Sequence, residues 1–230
     1  MSERHALLLG ATGLVGRQLL QLLLNDARWH RVTVMARQEA PFVRPKLQWC
    51  VTTFDEPAAA LPAGSFTDFF DCMGTTIRQA GSQQAFRNVD FTIPLAVAKA
   101  ARAQGATHAS VVSAMGADPA SRIFYNRVKG EVEVAFGTLG FTSLHLLRPS
   151  LLLGKRMEQR PGEKVASVAM RLLGPLFVGP LRNYRAIASQ AVAQALVSLA
   201  AKPQPGVRVI LSGELVRGGA YNECDNVHGQ

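Results

Sequence analysis

The segment Gly10-Ala11-Thr12-Gly13-Leu14-Val15-Gly16 constrains this chain more than any other. It stands between a short apolar run, His5 to Gly10, and a Leu-rich stretch, Leu14 to Leu24, whose apolar residues recur at helical spacing. Glycine accepts backbone angles that other residues resist, and it lets the chain approach a diphosphate closely. The helix that follows offers unsatisfied N–H groups and the positive end of its dipole to such a group. Gly16 would let that helix pack tightly on the strand. A glycine triplet alone is weak evidence, but between a first strand and a first helix it reads as a dinucleotide-binding turn.

The rest of the chain continues the same alternation, the signature of a parallel sheet covered by helices. Strands are predicted over Arg31 to Arg37, Leu47 to Phe54, Phe66 to Cys72, Ala109 to Ser113, Thr142 to Leu147 and Val207 to Leu211. Helices are predicted over Val89 to Ala103, Ser121 to Phe136, Glu163 to Leu173 and Arg185 to Ala201, with Pro94 tolerated only in a first turn. The expected fold class is α/β, a Rossmann-type doubly wound parallel sheet in the order 3-2-1-4-5-6, with His5 to Gly10 as its central strand. One domain is expected over residues 1–230, with a core at about 4–153 and a small substrate-side and C-terminal portion at about 154–230. The loop Gly154 to Gly162 follows the sixth strand and is expected in a substrate wall or lid. The apolar run Val165 to Leu181 either lines that pocket or packs against a second copy in a homo-oligomer. The polar tail after Gly213 has no clear structural pattern.

Composition narrows the function classes. With 48% hydrophobic and 18% charged residues, the chain can bury a core and is not disordered. Cys50, Cys72 and Cys224 are odd in number and far apart, which gives neither a disulfide framework nor a metal-ligand spacing. The five histidines have no ligand spacing either, and a strand histidine such as His145 is expected buried and hydrogen-bonded rather than catalytic. No metal is expected. The first ten residues lack a signal-peptide pattern, and Val165 to Leu181 is too interrupted by Arg, Gly and Pro to span a bilayer. A cytoplasmic location follows as the expectation. The formal charge of +9 is spread over scattered residues, mostly Arg, without a basic run or interleaved aromatics, so a nucleic-acid partner is not expected.

Two further features point to chemistry. The second strand ends at Met35-Ala36-Arg37, with no acid at the tip to take a ribose 2′-hydroxyl. A guanidinium there suits a 2′-phosphate, so NADP(H) is expected ahead of NAD(H), with Arg17 as a second contact. Tyr125-Asn126-Arg127-Val128-Lys129 places a phenol and an amine at i and i+4, on one face of a predicted helix. Ser113 ends a strand twelve residues before Tyr125.

The GxxGxxG spacing resembles that of the extended and atypical short-chain dehydrogenase/reductases. Asp71-Cys72-Met73-Gly74-Thr75-Thr76, the stretch Val112 to Asp118, the run Tyr125 to Val132 (YNRVKGEV) and Leu147-Arg148-Pro149-Ser150 sharpen that likeness. Over residues 4 to 200 or so, the chain is similar to the atypical members related to the HTATIP-interacting oxidoreductase, the Tat-interacting protein family. The resemblance implies an NADP(H)-dependent oxidoreductase acting on a small-molecule carbonyl or alcohol. It implies that Gly10, Thr12, Gly13, Leu14, Val15 and Gly16 line the diphosphate, that Arg37 takes the ribose phosphate, and that Cys72, Met73 and Gly74 meet the adenosine side. Ser113, Tyr125, Lys129 and Pro149 would then surround the nicotinamide. In the short-chain arrangement, Lys129 bonds the ribose and makes the Tyr125 phenol more acidic, Tyr125 gives its proton to the carbonyl oxygen, and Ser113 polarises that carbonyl. Where the relatives tend to carry a Ser pair, this chain has Ser113-Ala114. The alternative reading is a non-catalytic NADPH-binding module that controls protein contacts.

Overall fold

A computed structural model describes residues 3–153 and 186–215. Seven parallel strands form one sheet: β1 (Arg4–Leu9), β2 (Trp29–Ala36), β3 (Leu47–Val51), β4 (Asp68–Asp71), β5 (His108–Val112), β6 (Ser143–Arg148) and β9 (Gly206–Leu211). Their spatial order is β3-β2-β1-β4-β5-β6-β9. This is the expected doubly wound order with the last strand added beside β6. The middle of the seven is β4 rather than β1, because that addition shifts the centre by one strand. A separate parallel pair joins β7 (Leu152–Leu153) to β8 (Ile187–Ala188).

Both faces of the sheet are covered, which is why its strands read as nearly continuous apolar runs. Ala6 and Leu8 of β1 point to one face, and Leu7 and Leu9 to the other. The first face is packed by α1 (Gly16–Asn25) and α6 (Ser189–Ala201). Leu19, Leu20, Leu23 and Leu24 form the buried stripe of α1, and each such side chain contributes about 1.5–3 kcal/mol on burial. The second face is packed by α4 (Ile93–Ala103) and α5 (Phe124–Gly137), through Val97, Ala98 and Ala101 and through Val128, Val132 and Phe136.

Three differences from the sequence reading have local causes. Val89 to Ala103 is not one helix, because a π-helical turn, Asn88–Thr92, precedes α4 and leaves Pro94 at the start of α4. Two short helices, α2 (Ile77–Ala80) and α3 (Gln83–Arg87), fill the connection after β4, capped by the Thr76 and Ser82 hydroxyls. The expected helix from Arg185 begins only at Ser189, after β8. The predicted helix Glu163 to Leu173, the loop Gly154 to Gly162, the whole of Val165 to Leu181 and the tail beyond residue 215 lie outside the described residues. Among the described residues, no helix is long and apolar enough to cross a membrane, and no cluster of His, Cys, Asp and Glu could hold a metal.

At the amino ends of the strands, polar side chains form a buried network. Asp68 accepts hydrogen bonds from Arg4 Nε at 3.0 Å, Trp29 Nε1 at 3.0 Å and the Thr67 hydroxyl at 2.6 Å. His108 lies between Asp68 and His145, at 3.1 Å from each. Burial works against the Asp68 charge, but the His108 and Arg4 hydrogen bonds outweigh it and hold the carboxyl at about 2. Burial, reinforced by Arg31 for His5 and by His108 for His145, lowers both histidines to about 4.

Histidines with depressed folded values bind fewer protons in the native than in the unfolded state between pH 4 and 6.5, so stability falls as the pH drops through that window. Asp71, which burial raises to about 7, works in the opposite direction over much of the same range. Two histidines against one carboxyl leave a net loss of about 3 kcal/mol on acidification from pH 6.5 to 4. Below pH 4, protonation of Asp68 removes more. Urea unfolding across this range measures the loss. A midpoint that stays level or rises on acidification would show that the histidines are already charged near neutrality.

Candidate functional site

The chain leaves β1 for β2 on one side and later returns to β4 on the other. The carboxyl ends of β1 and β4 therefore flank the crevice at which open α/β sheets bind ligands. The turns after these two strands meet backbone to backbone. Gly10 has φ +75°, and a Cβ there would lie 2.4 Å from the Cys72 carbonyl carbon. A Cβ on Gly16 would lie 2.0 Å from the Gly10 carbonyl oxygen. The Gly13 N–H donates to that same oxygen at 3.0 Å, closing the turn. No side chain caps the start of α1, where Val15 occupies the N-cap position.

A cavity of about 830 Å³ opens over these turns, within the range of sites that hold small molecules. Gly10, Thr12, Gly13, Arg37, Cys72, Met73 and Gly74 form part of its wall. Arg37 is exposed and follows the last residue of β2 directly. Leu14, Val15 and Gly16 are not part of that wall. Val15 is buried in the core with α1, and Gly16 is pressed against Gly10. The wall also includes Phe54, Gln79 and Asn88, which the sequence reading did not assign to the site.

Ser113, Tyr125, Lys129 and Pro149 lie outside this wall, in the adjoining region where β5, β6 and α5 meet. The Ser113 N–H donates to the Leu147 carbonyl at 2.8 Å, and the Met115 N–H to the Pro149 carbonyl at 3.1 Å, so pairing continues past the sheet. The Ser113 hydroxyl is buried and has no hydrogen-bond partner among the described residues. The loop from Ser113 to the helix is pressed onto α5, because a Cβ on Gly130 would lie 2.2 Å from the Pro119 nitrogen. The glycine next to Lys129 thus lets the serine loop and the Tyr–Lys helix share one wall. Tyr125 packs its ring against Phe86, with centroids 5.7 Å apart.

Lys129 is buried, and its Nζ lies 2.8 Å from Asp90 Oδ1. The other oxygen of Asp90 accepts the Thr75 N–H at 2.9 Å. Asp71, at the end of β4, accepts the Met73 N–H at 2.9 Å. Burial alone would lower the lysine, but Asp90 first, with Tyr125 and Asp71, holds its ammonium above the usual lysine range. Lys129 in turn limits the rise that burial imposes on Asp71. Neither carboxylate was named from the sequence. Asp71 was quoted only within its motif, and Asp90 was absorbed into a helix. The two polar residues at its margin, Asn88 just before the expected helix and Asp90 within its first turn, were the available signal.

A parallel sheet of this order, covered on both faces and carrying a glycine turn at its switch point, defines the Rossmann-type class of α/β proteins. No family model matches the chain. Among solved structures it is similar to the Bordetella bronchiseptica enzyme WbmH in complex with NAD+, with a TM-score of 0.69 at 12% identity, covering 100% of this chain and 84% of that one. It is 36% identical to the protein HTATIP2 of Rattus norvegicus over 170 residues, 72% of this chain and 70% of the rat protein. It is 30% identical to the mitochondrial protein fmp52 of Aspergillus clavatus over 232 residues, 94% of this chain and 98% of that one. The chain belongs to the family of the HTATIP2 and FMP52 proteins. This corrects the expected cytoplasmic location, since several FMP52 relatives are named as mitochondrial. The features read for location bear on secretion and do not choose among internal compartments.

Proposed function

We propose that the protein is an NADP(H)-dependent oxidoreductase that interconverts a small-molecule carbonyl and its alcohol. The observation that carries this reading is the buried Ser113 hydroxyl, without a hydrogen-bond partner among the described residues, in the region of Tyr125 and Lys129 and next to a cavity built on the glycine turn. A buried polar group without a partner calls for a ligand or a role in chemistry. The close-packed turn, the uncapped helix start and the open cavity suit a nicotinamide dinucleotide, which when bound supplies or accepts the hydride. In this reading Gly10, Thr12 and Gly13, which line the cavity, border the diphosphate, while Val15 and Gly16 serve it by seating the start of α1 against the turn. Arg37 meets the ribose 2′-phosphate, Cys72, Met73 and Gly74 border the adenosine, and Pro149 borders the nicotinamide.

Tyr125 gives its phenolic proton to the carbonyl oxygen, Lys129 stabilises the negative charge left on the phenol, and Ser113 donates a hydrogen bond that orients the carbonyl. The chain acts as one domain, in which α6 and β9 complete the cover and the edge of the sheet that carries the cofactor cavity. NADPH consumption over a panel of aldehydes, ketones and quinones tests the reading. A protein that binds NADPH and leaves the whole panel untouched would be a binding module instead.

The cofactor preference has its own test. In this reading Arg37, in the cavity wall, meets the 2′-phosphate that NADPH has and NADH lacks, and a hydrogen bond to a charged group contributes about 1.5–3 kcal/mol. Arg37→Ala is therefore expected to weaken NADPH roughly ten- to a hundredfold and to leave NADH little changed. Fluorescence titration of both proteins with both cofactors measures this. The same preference in the two proteins would remove Arg37 from the phosphate.

A further inference from the structure

The π-helical turn Asn88–Thr92 is the one π-helix among the described residues, and it lies between the cavity and α5. Such turns are frequent at functional sites, where the extra residue re-aims side chains that a regular helix would point elsewhere. Here Asn88 and Val89 form part of the cavity wall, while Asp90, 1% exposed, reaches the Lys129 ammonium. Asp90 uses both of its oxygens. One meets Lys129 Nζ, and the other holds the N–H of Thr75, directly after Gly74 in the cavity wall. A single carboxylate thus joins the loop that borders the cavity to the lysine of the Tyr–Lys pair.

We propose that Asp90 is a positioning residue acting through Lys129: it fixes the ammonium between α5 and the loop after β4, and its negative charge limits how much positive charge reaches Tyr125. The inference rests on the proposed function, in which Lys129 and Tyr125 are the working pair. The charge balance around Lys129 supports it. Asp90 approaches from the π-helical turn and Asp71 from the end of β4, and the Cys72 thiol adjoins Asp71. The remaining ionic groups on α5 are already engaged, Glu133 with Arg148, Glu131 with Arg87, and Arg127 with the Ser121 carbonyl. Asp118 lies in the loop pressed onto α5, where its N–H donates to the Asn126 carbonyl. Asp90 is the carboxylate in direct contact with the ammonium, so its removal is the change that Tyr125 should sense most.

The test reads the phenol itself in the cofactor-free protein, through the titration of 13Cζ-labelled tyrosine by NMR. Of the three tyrosines, Tyr125 is assigned by its absence in Tyr125→Phe. In Asp90→Asn, Asp71 remains to keep Lys129 charged, and the Tyr125 midpoint is expected to move down by roughly one pH unit. Asp90→Glu keeps the charge and should leave the midpoint near its wild-type position. Removing one member of a buried pair can unfold a protein, whereas removing both is better tolerated. The comparison of Lys129→Met with Lys129→Met/Asp90→Asn serves as the control: with no ammonium to act through, loss of Asp90 should move the Tyr125 midpoint much less than it does beside Lys129. A midpoint that does not move, or moves up, in Asp90→Asn, or that moves as far in the Lys129→Met background, would overturn the proposal. Titration of the wild type with NADPH is run alongside. Failure to bind NADPH would overturn the reading of the site, whereas tight binding with an unmoved phenol would overturn only the role of Asp90.

Discussion

Tyr125→Phe is expected to lower turnover of any carbonyl the protein accepts by about a hundredfold or more, as for the loss of a general acid. NADPH binding should persist, because the ring that packs against Phe86 is kept and only the hydroxyl is lost. The split between the two readouts matters more than the size of the loss. Damage to the fold would weaken cofactor binding and turnover together, whereas loss of the proton donor should lower kcat with the NADPH affinity intact. Stopped-flow mixing of enzyme, NADPH and an active substrate separates binding from hydride transfer. If Tyr125→Phe turns over every active substrate at the wild-type rate, the phenol is a packing residue and another group supplies the proton.

Gly10→Ala should produce the largest loss of stability among single-methyl changes in the cavity wall. The new Cβ would lie 2.4 Å from both the carbonyl carbon and the oxygen of Cys72, and those are backbone atoms that cannot swing aside. The residue also has φ +75°, which an L side chain adopts at a cost of about 1–2 kcal/mol. Overpacking adds about 1–3 kcal/mol, so a total loss of about 2–5 kcal/mol is expected in urea unfolding. NADPH affinity should fall at least tenfold, on the order of 1.4 kcal/mol, because relief of the contact separates the two turns that border the cavity. Gly13→Ala is the matched control. Its Cβ would approach the Gly10 oxygen to 3.2 Å, and the residue is exposed, so stability should fall far less. Equal destabilisation by the two substitutions would mean that the contact between the turns carries little of the fold.

The sequence was most informative where one residue type answers a local demand. The glycine turn could be read because close backbone approach at the β1–β4 crevice excludes any side chain at positions 10 and 16. The strands could be read because a sheet buried on both faces shows continuous apolar runs, as in Ala6 through Leu9. The stripe of α1 could be read because its four leucines repeat at helical spacing. Tyr125 and Lys129 could be paired because i and i+4 share a helix face. Each of these inferences involves residues within a few positions of one another.

The remaining features depended on residues far apart in the chain. Asp68, His108 and His145 form one buried network only because β4, β5 and β6 are adjacent, and each of these residues alone is an ordinary polar group. Asp90 looked like a polar position in an Ala-rich helix until the π-helical turn directed it at Lys129, 39 positions further along. Gly130 gained its meaning from Pro119 pressing against it. By itself the sequence determined the strand–helix alternation, the glycine turn and the candidate phenol, amine and hydroxyl, because periodicity and backbone sterics act locally. Only the tertiary structure decided which carboxylate neutralises the lysine, which hydroxyl has no partner among the described residues, and which residues border the cavity. Burial and charge pairing are properties of the space between elements, and packing alone creates that space.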